Sequence, residues 1–195
     1  MIDRIGGALS LDFVNTAGWH LSDVPNEHLR DAATVREWAR DAGLAVDHVP
    51  PLRRVLAVRE ALFRIFAGRT AGRAPEPGDL ALVNRTLSRA MAAAALLPDG
   101  PGLRWQWPDS PPELLLWAVV RDAAELLTSP RAGQLRMCGN DPCGWLFLDP
   151  RGRRRWCSMQ GCGNRVKANR YYRNHTGATD RLGPPGGRSG RPVKH

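Results

Sequence analysis

Apolar residues recur at helical spacing along the first two thirds of the chain. Val35, Trp38, Ala39 and Ala42 share one face of a segment that Asp31-Ala32-Ala33-Thr34 opens and Gly43 closes. After Pro50-Pro51, the residues Leu52, Val55, Leu56, Arg59, Leu62, Phe63 and Phe66 keep the 3.6-residue period to Gly68, so a second helix is predicted there. Residues 72–78 carry two prolines and read as a loop. Asp79 is expected to cap a third helix running to about Leu97, with Leu80, Val83, Leu87 and Met91 inward and an alanine-rich end suited to close helix packing. Arg104-Trp105-Gln106-Trp107 alternates as a short extended segment does, and Ser110-Pro111-Pro112-Glu113 supplies a cap, an early proline and a glutamate for a fourth helix over Leu114 to Leu127. The stretch Ala8 to Asn15 is apolar around Asp12 and suits either a strand or a helix. Asn15 beside Thr16 reads as a turn or cap. No internal repeat is present.

The pattern then changes. Cys138, Cys143, Cys157 and Cys162, the only cysteines of the 195 residues, fall within 25 residues as C-x4-C-x13-C-x4-C. Each pair can grip from one turn while the insert brings the pairs together, which is what a closed tetrahedral zinc site needs. Two disulfides are the competing reading, and the start MIDRIGGALSLDF argues against them, because it lacks the basic segment, long apolar run and small-residue cleavage site of an export signal. A cytoplasmic protein is therefore expected, and apolar runs such as Leu114 to Val120 are too short for a membrane span. Four thiolates leave no open coordination position, so the metal is expected to be structural.

Finer patterning within this region predicts a knuckle at Cys138 to Cys143, a strand over Trp145 to Leu148, a turn at Asp149-Pro150-Arg151-Gly152 and a return arm from Arg153 to Trp156, closing a hairpin. Ser158 then caps a helix that carries Cys162 in its first turns and ends near His175. The fold class is thus a mainly α N-terminal domain with a short extended segment (1–130), a zinc-bound knuckle, β-hairpin and helix module (131–175), and a disordered basic tail (176–195) whose Gly, Pro and Arg have no apolar face.

Charge follows the same division. Residues 1–130 hold 14 arginines against 16 acids, a net of −2, whereas residues 131–195 hold 14 Lys or Arg against 3 acids, a net of +11. Concentrated positive charge favours an anionic partner. Arg153, Arg154 and Arg155 on the hairpin arm and Lys167, Arg170 and Arg173 along the last helix are candidate phosphate contacts, and Asn164 and Asn169 are candidates for reading base edges of double-stranded DNA. Asn164 has an alternative role in bonding to the knuckle, and Arg165 in crossing to a carboxylate such as Asp149. Nothing in residues 1–130 assembles a nucleophile, base and metal, so no enzyme is expected. The competing class is a protein-interaction module whose basic finger meets an acidic surface.

Cys162-Gly163-Asn164-Arg165, preceded by Arg154-Arg155-Trp156-Cys157-Ser158-Met159 and followed by Val166-Lys167-Ala168, resembles the CGNR zinc-finger family. Leu9-Ser10-Leu11-Asp12-Phe13-Val14-Asn15-Thr16 is similar to the opening motif of the ABATE domain usually joined to it. The resemblance implies a bacterial stress-induced transcription regulator in which the finger binds DNA. The helical domain is expected to sense a small ligand or mediate assembly, and because one short recognition helix offers few base contacts a homodimer is expected through that domain.

Overall fold

The computed structural model describes residues 3–107 and 111–176, with side chains of the last helix up to Tyr172. The capping role expected of Ser110 and the tail after Thr176 lie outside the described residues. Among the described residues, six α-helices, α1 (Leu9–Val14), α2 (Ala32–Asp41), α3 (Leu52–Thr70), α4 (Pro77–Ala93), α5 (Leu114–Thr128) and α6 (Asn164–Thr176), are joined by three two-stranded antiparallel sheets. These pair β1 (Ala17–Gly18) with β2 (Asn26–Glu27), β3 (Ala95–Asp99) with β4 (Gly102–Gln106), and β5 (Leu135–Met137) with β6 (Leu146–Leu148).

The ambiguous stretch at Ala8 to Asn15 is helical. Short as it is, α1 lies against both α3 and α5 and puts Leu11, Phe13 and Val14 wholly out of water. Around it close Val55, Leu62 and Phe66 of α3 and Leu115, Val119 and Val120 of α5, each fully buried. At roughly 1.5–3 kcal/mol for each large apolar side chain buried, this cluster supplies the main driving force for the fold. The start of α2 is held by a reciprocal pair in which Thr34 N donates to Asp31 Oδ1 (2.8 Å) and Asp31 N donates to Thr34 Oγ1 (3.1 Å). Gly43, at φ +82°, ends it in the left-handed conformation that a side chain disfavours.

Helix α4, expected to begin at Asp79 and run to about Leu97, departs from that expectation at both ends. It begins at Pro77, and its buried stripe runs through Asp79, Val83, Thr86 and Ala90, leaving Leu80 and Met91 exposed. The cause is Asp79, which turns inward to take both arms of Arg64 on α3 (2.8 and 2.6 Å) instead of capping its own helix. At the other end the alanines stop short of Leu97. Ala95–Asp99 forms β3, and Gly100, at φ +56°, turns the chain into β4. The alternation at Arg104 to Trp107 therefore marked a real strand, whose partner was hidden in an apparent helix end.

The last hairpin is also differently paired. Trp145 to Leu148 were expected to meet Arg153 to Trp156, but Leu146–Leu148 pairs with Leu135–Met137, and residues 153–156 are irregular, outside any ladder. Leu135, Leu146 and Leu148 face the helical cluster, and that burial sets the register.

Candidate metal centre and basic helix

Because β5 and β6 are the paired strands, the knuckle Cys138 to Cys143 is their connection. Cys138 N donates to Trp145 O (2.8 Å), and Cys143 N donates to Asn140 O (2.8 Å), which curls the backbone back on itself. Gly144 follows at φ +68°. The second pair of cysteines is brought over this knuckle by the irregular arm, with Gly139 N donating to Arg155 O (2.9 Å). Ser158 Oγ accepts from Gly161 N (3.2 Å), capping a π-helical turn, Met159–Gly163, that presents Cys162 and leads directly into α6.

The four sulfurs are buried and lie within 4.8 Å of one another. Cys143 and Cys157 are 3.8 Å apart at sulfur. A disulfide needs about 2.05 Å, whereas a tetrahedron with metal–sulfur bonds of about 2.3 Å has edges of about 3.8 Å. Two donors already point at the quartet, Cys157 N to Cys138 Sγ (3.4 Å) and Asn140 Nδ2 to Cys162 Sγ (3.5 Å), as thiolates rather than thiols require. Hydrogen bonding among the crowded sulfurs drives their proton affinities apart, with Cys138 far down and Cys143 and Cys157 far up. Four thiolates this close repel one another, and a divalent cation between them would offset that charge. The cluster is able to chelate a metal ion.

The basic residues separate into different environments. Lys167 and Arg170 are exposed on α6, Asn169 is half-buried, and Asn164 is exposed at the first position of the helix. Arg173 belongs to α6, but its side chain lies outside those described. Arg153 is exposed, while Arg155 lies 5.5 Å from the centre of the Trp156 ring. Arg154 is engaged internally. Its guanidinium sits 4.2 Å over Phe147 and donates to Cys157 O (2.5 Å) and Leu148 O (3.4 Å), and its N–H donates to Asp149 Oδ2 (2.7 Å). It pins the arm to β6. Arg165 lies 4.3 Å over the Trp19 ring instead of crossing to Asp149, and it is Asn140, rather than Asn164, that reaches a cysteine sulfur.

Residues 7–130 match the model of the ABATE family, described as putative stress-induced transcription regulator, and residues 134–175 match that of the CGNR zinc finger. The chain belongs to the ABATE family. Both families are non-catalytic regulatory or structural domains. A search of curated proteins finds no match for the chain. Among the described residues no helix is long and apolar enough to cross a membrane.

The chain from Gly6 to Leu21 grips the CGNR finger through backbone and side-chain groups. Asn15, 1% exposed, acts as a surrogate strand: its Nδ2 donates to Leu146 O and its Oδ1 accepts from Leu146 N, both at 2.9 Å. Trp145 Nε1 donates to Ala17 O (3.0 Å), His20 N to Cys143 O (3.0 Å), Leu21 N to Pro142 O (3.3 Å) and Leu148 N to Gly6 O (2.9 Å). The fit is close at Gly144, where an added Cβ would lie 2.9 Å from His20 Cβ. Arg59, 4% exposed, holds the gripping loop from behind, with its guanidinium on both Glu27 oxygens (2.7 and 2.6 Å), on Glu60 and on Thr16. In the sequence Asn15 read as a turn or cap; it does end α1, and its side chain makes the further contact with Leu146. A buried asparagine closing an apolar run was the available signal for this contact.

Proposed function

We propose that the protein is a zinc-containing, DNA-binding transcription regulator of the cytoplasm, where thiols stay reduced. The observation that carries this reading is α6, an exposed helix bearing Lys167 and Arg170 that starts at the rim of the cysteine cage. The cage would take one zinc through Cys138, Cys143, Cys157 and Cys162, and the closed ligand set gives the metal a structural role. Arg153, Lys167, Arg170 and Arg173 would meet phosphates, and Asn164 and Asn169 would approach base edges in the major groove. Arg155 would join them from the arm, whereas Arg154 would serve chiefly to hold that arm in place.

One short recognition helix makes few base contacts, so a homodimer through the ABATE segment, presenting two fingers to two half-sites, supports useful specificity. The test is selection of bound fragments from a genomic DNA pool by metal-loaded protein, followed by affinity against salt. A common sequence should emerge, and a Lys167, Arg170 and Arg173 triple alanine variant that retains its zinc should lower the salt slope by about one unit per lost phosphate contact. Unchanged duplex affinity in that variant at several salt concentrations removes α6 from a DNA interface. Capture of an acidic protein with no selected DNA sequence favours the protein-interaction module instead.

A further inference from the structure

A cleft of about 430 Å³ opens where the two family segments meet, lined on one side by Trp19, Asn26 and His28 and on the other by Trp145, Gln160 and Arg165. Its size lies in the range of small-molecule sites. Two features set it apart from an incidental gap. Trp19 holds φ +53°, the one non-glycine residue with positive φ among those described, a conformation that a bulky side chain adopts only under constraint. The constraint is visible in the neighbouring bonds, Ser22 N to Trp19 O (2.9 Å), His20 N to Cys143 O and Trp145 Nε1 to Ala17 O. Backbone strain of this kind tends to collect at ligand clamps. The second feature is Arg165. Its guanidinium carbon sits 4.3 Å from the centre of the Trp19 ring, over the indole, and no carboxylate among the described residues pairs with it. Stacking occupies the face of the guanidinium and leaves its N–H edge for a planar acceptor.

We propose that this cleft binds a small planar organic acid, its carboxylate forked by Arg165 and its apolar body lying along the indole walls of Trp19 and Trp145. A carboxylate suits the fork in shape and brings one charge. A phosphate would bring nearly two into a cleft that already contains Asp3 and the cysteine cage at Cys143, Cys157 and Cys162. Asn26, His28 and Gln160 supply hydrogen-bonding groups around the body of the ligand. Because Arg165 is the second residue of α6 and Trp19 belongs to the ABATE segment, a bound acid would tie the first turn of the basic helix to the domain beside it. This site gives the regulatory reading its effector, and rests on that reading only for the effect on DNA; binding itself is independent of it.

The experiment uses metal-loaded full-length protein without DNA, titrated with benzoate, with its neutral isostere benzamide and with inorganic phosphate, and followed by heat and tryptophan fluorescence. Benzoate should saturate, and benzamide should bind about tenfold or more weakly, since it cannot accept a charge-assisted fork. Arg165→Ala should weaken benzoate by a similar factor with zinc content unchanged, and Arg165→Lys should recover only part, because an ammonium lacks the fork. The proposal is overturned if benzoate does not saturate at tens of millimolar, if benzamide binds as well, if phosphate is preferred, or if both Arg165 variants bind as the parent does. Failure to select DNA, with benzoate binding intact, would count against the regulatory reading alone.

Discussion

Replacing Asn15 with alanine should unfold the protein far more readily than the loss of one surface amide would. Asn15 is buried and makes both of its bonds to the main chain of Leu146, 131 residues away, which is itself fully buried. Truncation leaves Leu146 N–H and C=O without partners in a site closed to solvent. Each unsatisfied group costs about 1–3 kcal/mol. A water admitted to the vacated volume would return part of that, so a net loss of about 2–4 kcal/mol is expected, a large share of the roughly 5–15 kcal/mol of a typical domain. The finger should loosen with it, because β6 connects directly to Cys143. Urea unfolding of metal-loaded protein gives the first number, and the rate of zinc transfer to a chromogenic chelator gives the second. Asn84→Ala, at an exposed position on α4, should change neither. A loss below about 0.5 kcal/mol for Asn15→Ala, at unchanged denaturant slope, would refute the argument that this side chain stands in for a strand.

Three further outcomes follow from the same contacts. Protein prepared without chelator should contain one zinc per chain by elemental analysis, and Cys138→Ser should abolish stoichiometric binding and shorten the life of the fold under proteolysis. Arg153→Ala should weaken DNA binding with stability unchanged, while Arg154→Ala, which removes the ring contact with Phe147 and the bond to Cys157 O, should lower the urea midpoint and speed zinc release; equal behaviour of the two variants would contradict their different environments. Asp79 has its proton affinity lowered chiefly by its bonds to Arg64, so it stabilises the folded state above the ordinary carboxylate range and ceases to do so as pH falls through its depressed value. Asp79→Asn should therefore cost about 1 kcal/mol at pH 7 and progressively less below pH 4, as read from denaturant midpoints.

Helix α2 and its ends, the long α3 and the cysteine quartet were legible because each rests on local chemistry: a capping aspartate, a closing glycine, an apolar period, a spacing. What escaped was decided at a distance. The inward turn of Asp79 depends on Arg64 across a helix interface, and the sequence around Asp79 alone favours a cap. The alanine run stays helical as far as Ala93, but at Ala95 cross-strand pairing with Gln106 overrides helical propensity. Similarly, the Arg153 to Trp156 arm looked like a strand from its position beyond a turn, while the strand that pairs with β6 lies upstream of the first cysteine. Single basic residues were indistinguishable in the sequence. The ring of Phe147 under its guanidinium and the bonds to Leu148 O, Cys157 O and Asp149 separate Arg154 from Arg153.

The hairpin that carries the metal knuckle has its apolar side in the helical core, and this bears on how the chain could be divided or inherited. A cut between the two family segments, at residues 130–134, would leave Leu135, Leu146 and Leu148 facing water and would strip Leu146 and Leu148 of the partners that Asn15 and Gly6 provide. The finger is thus no cassette to be grafted onto another protein. A separately made finger would also lack the α3 and α5 side chains that Leu135, Leu146 and Leu148 join, so the natural unit of transplantation is the pair, with the N-terminal motif travelling as part of the fold it completes.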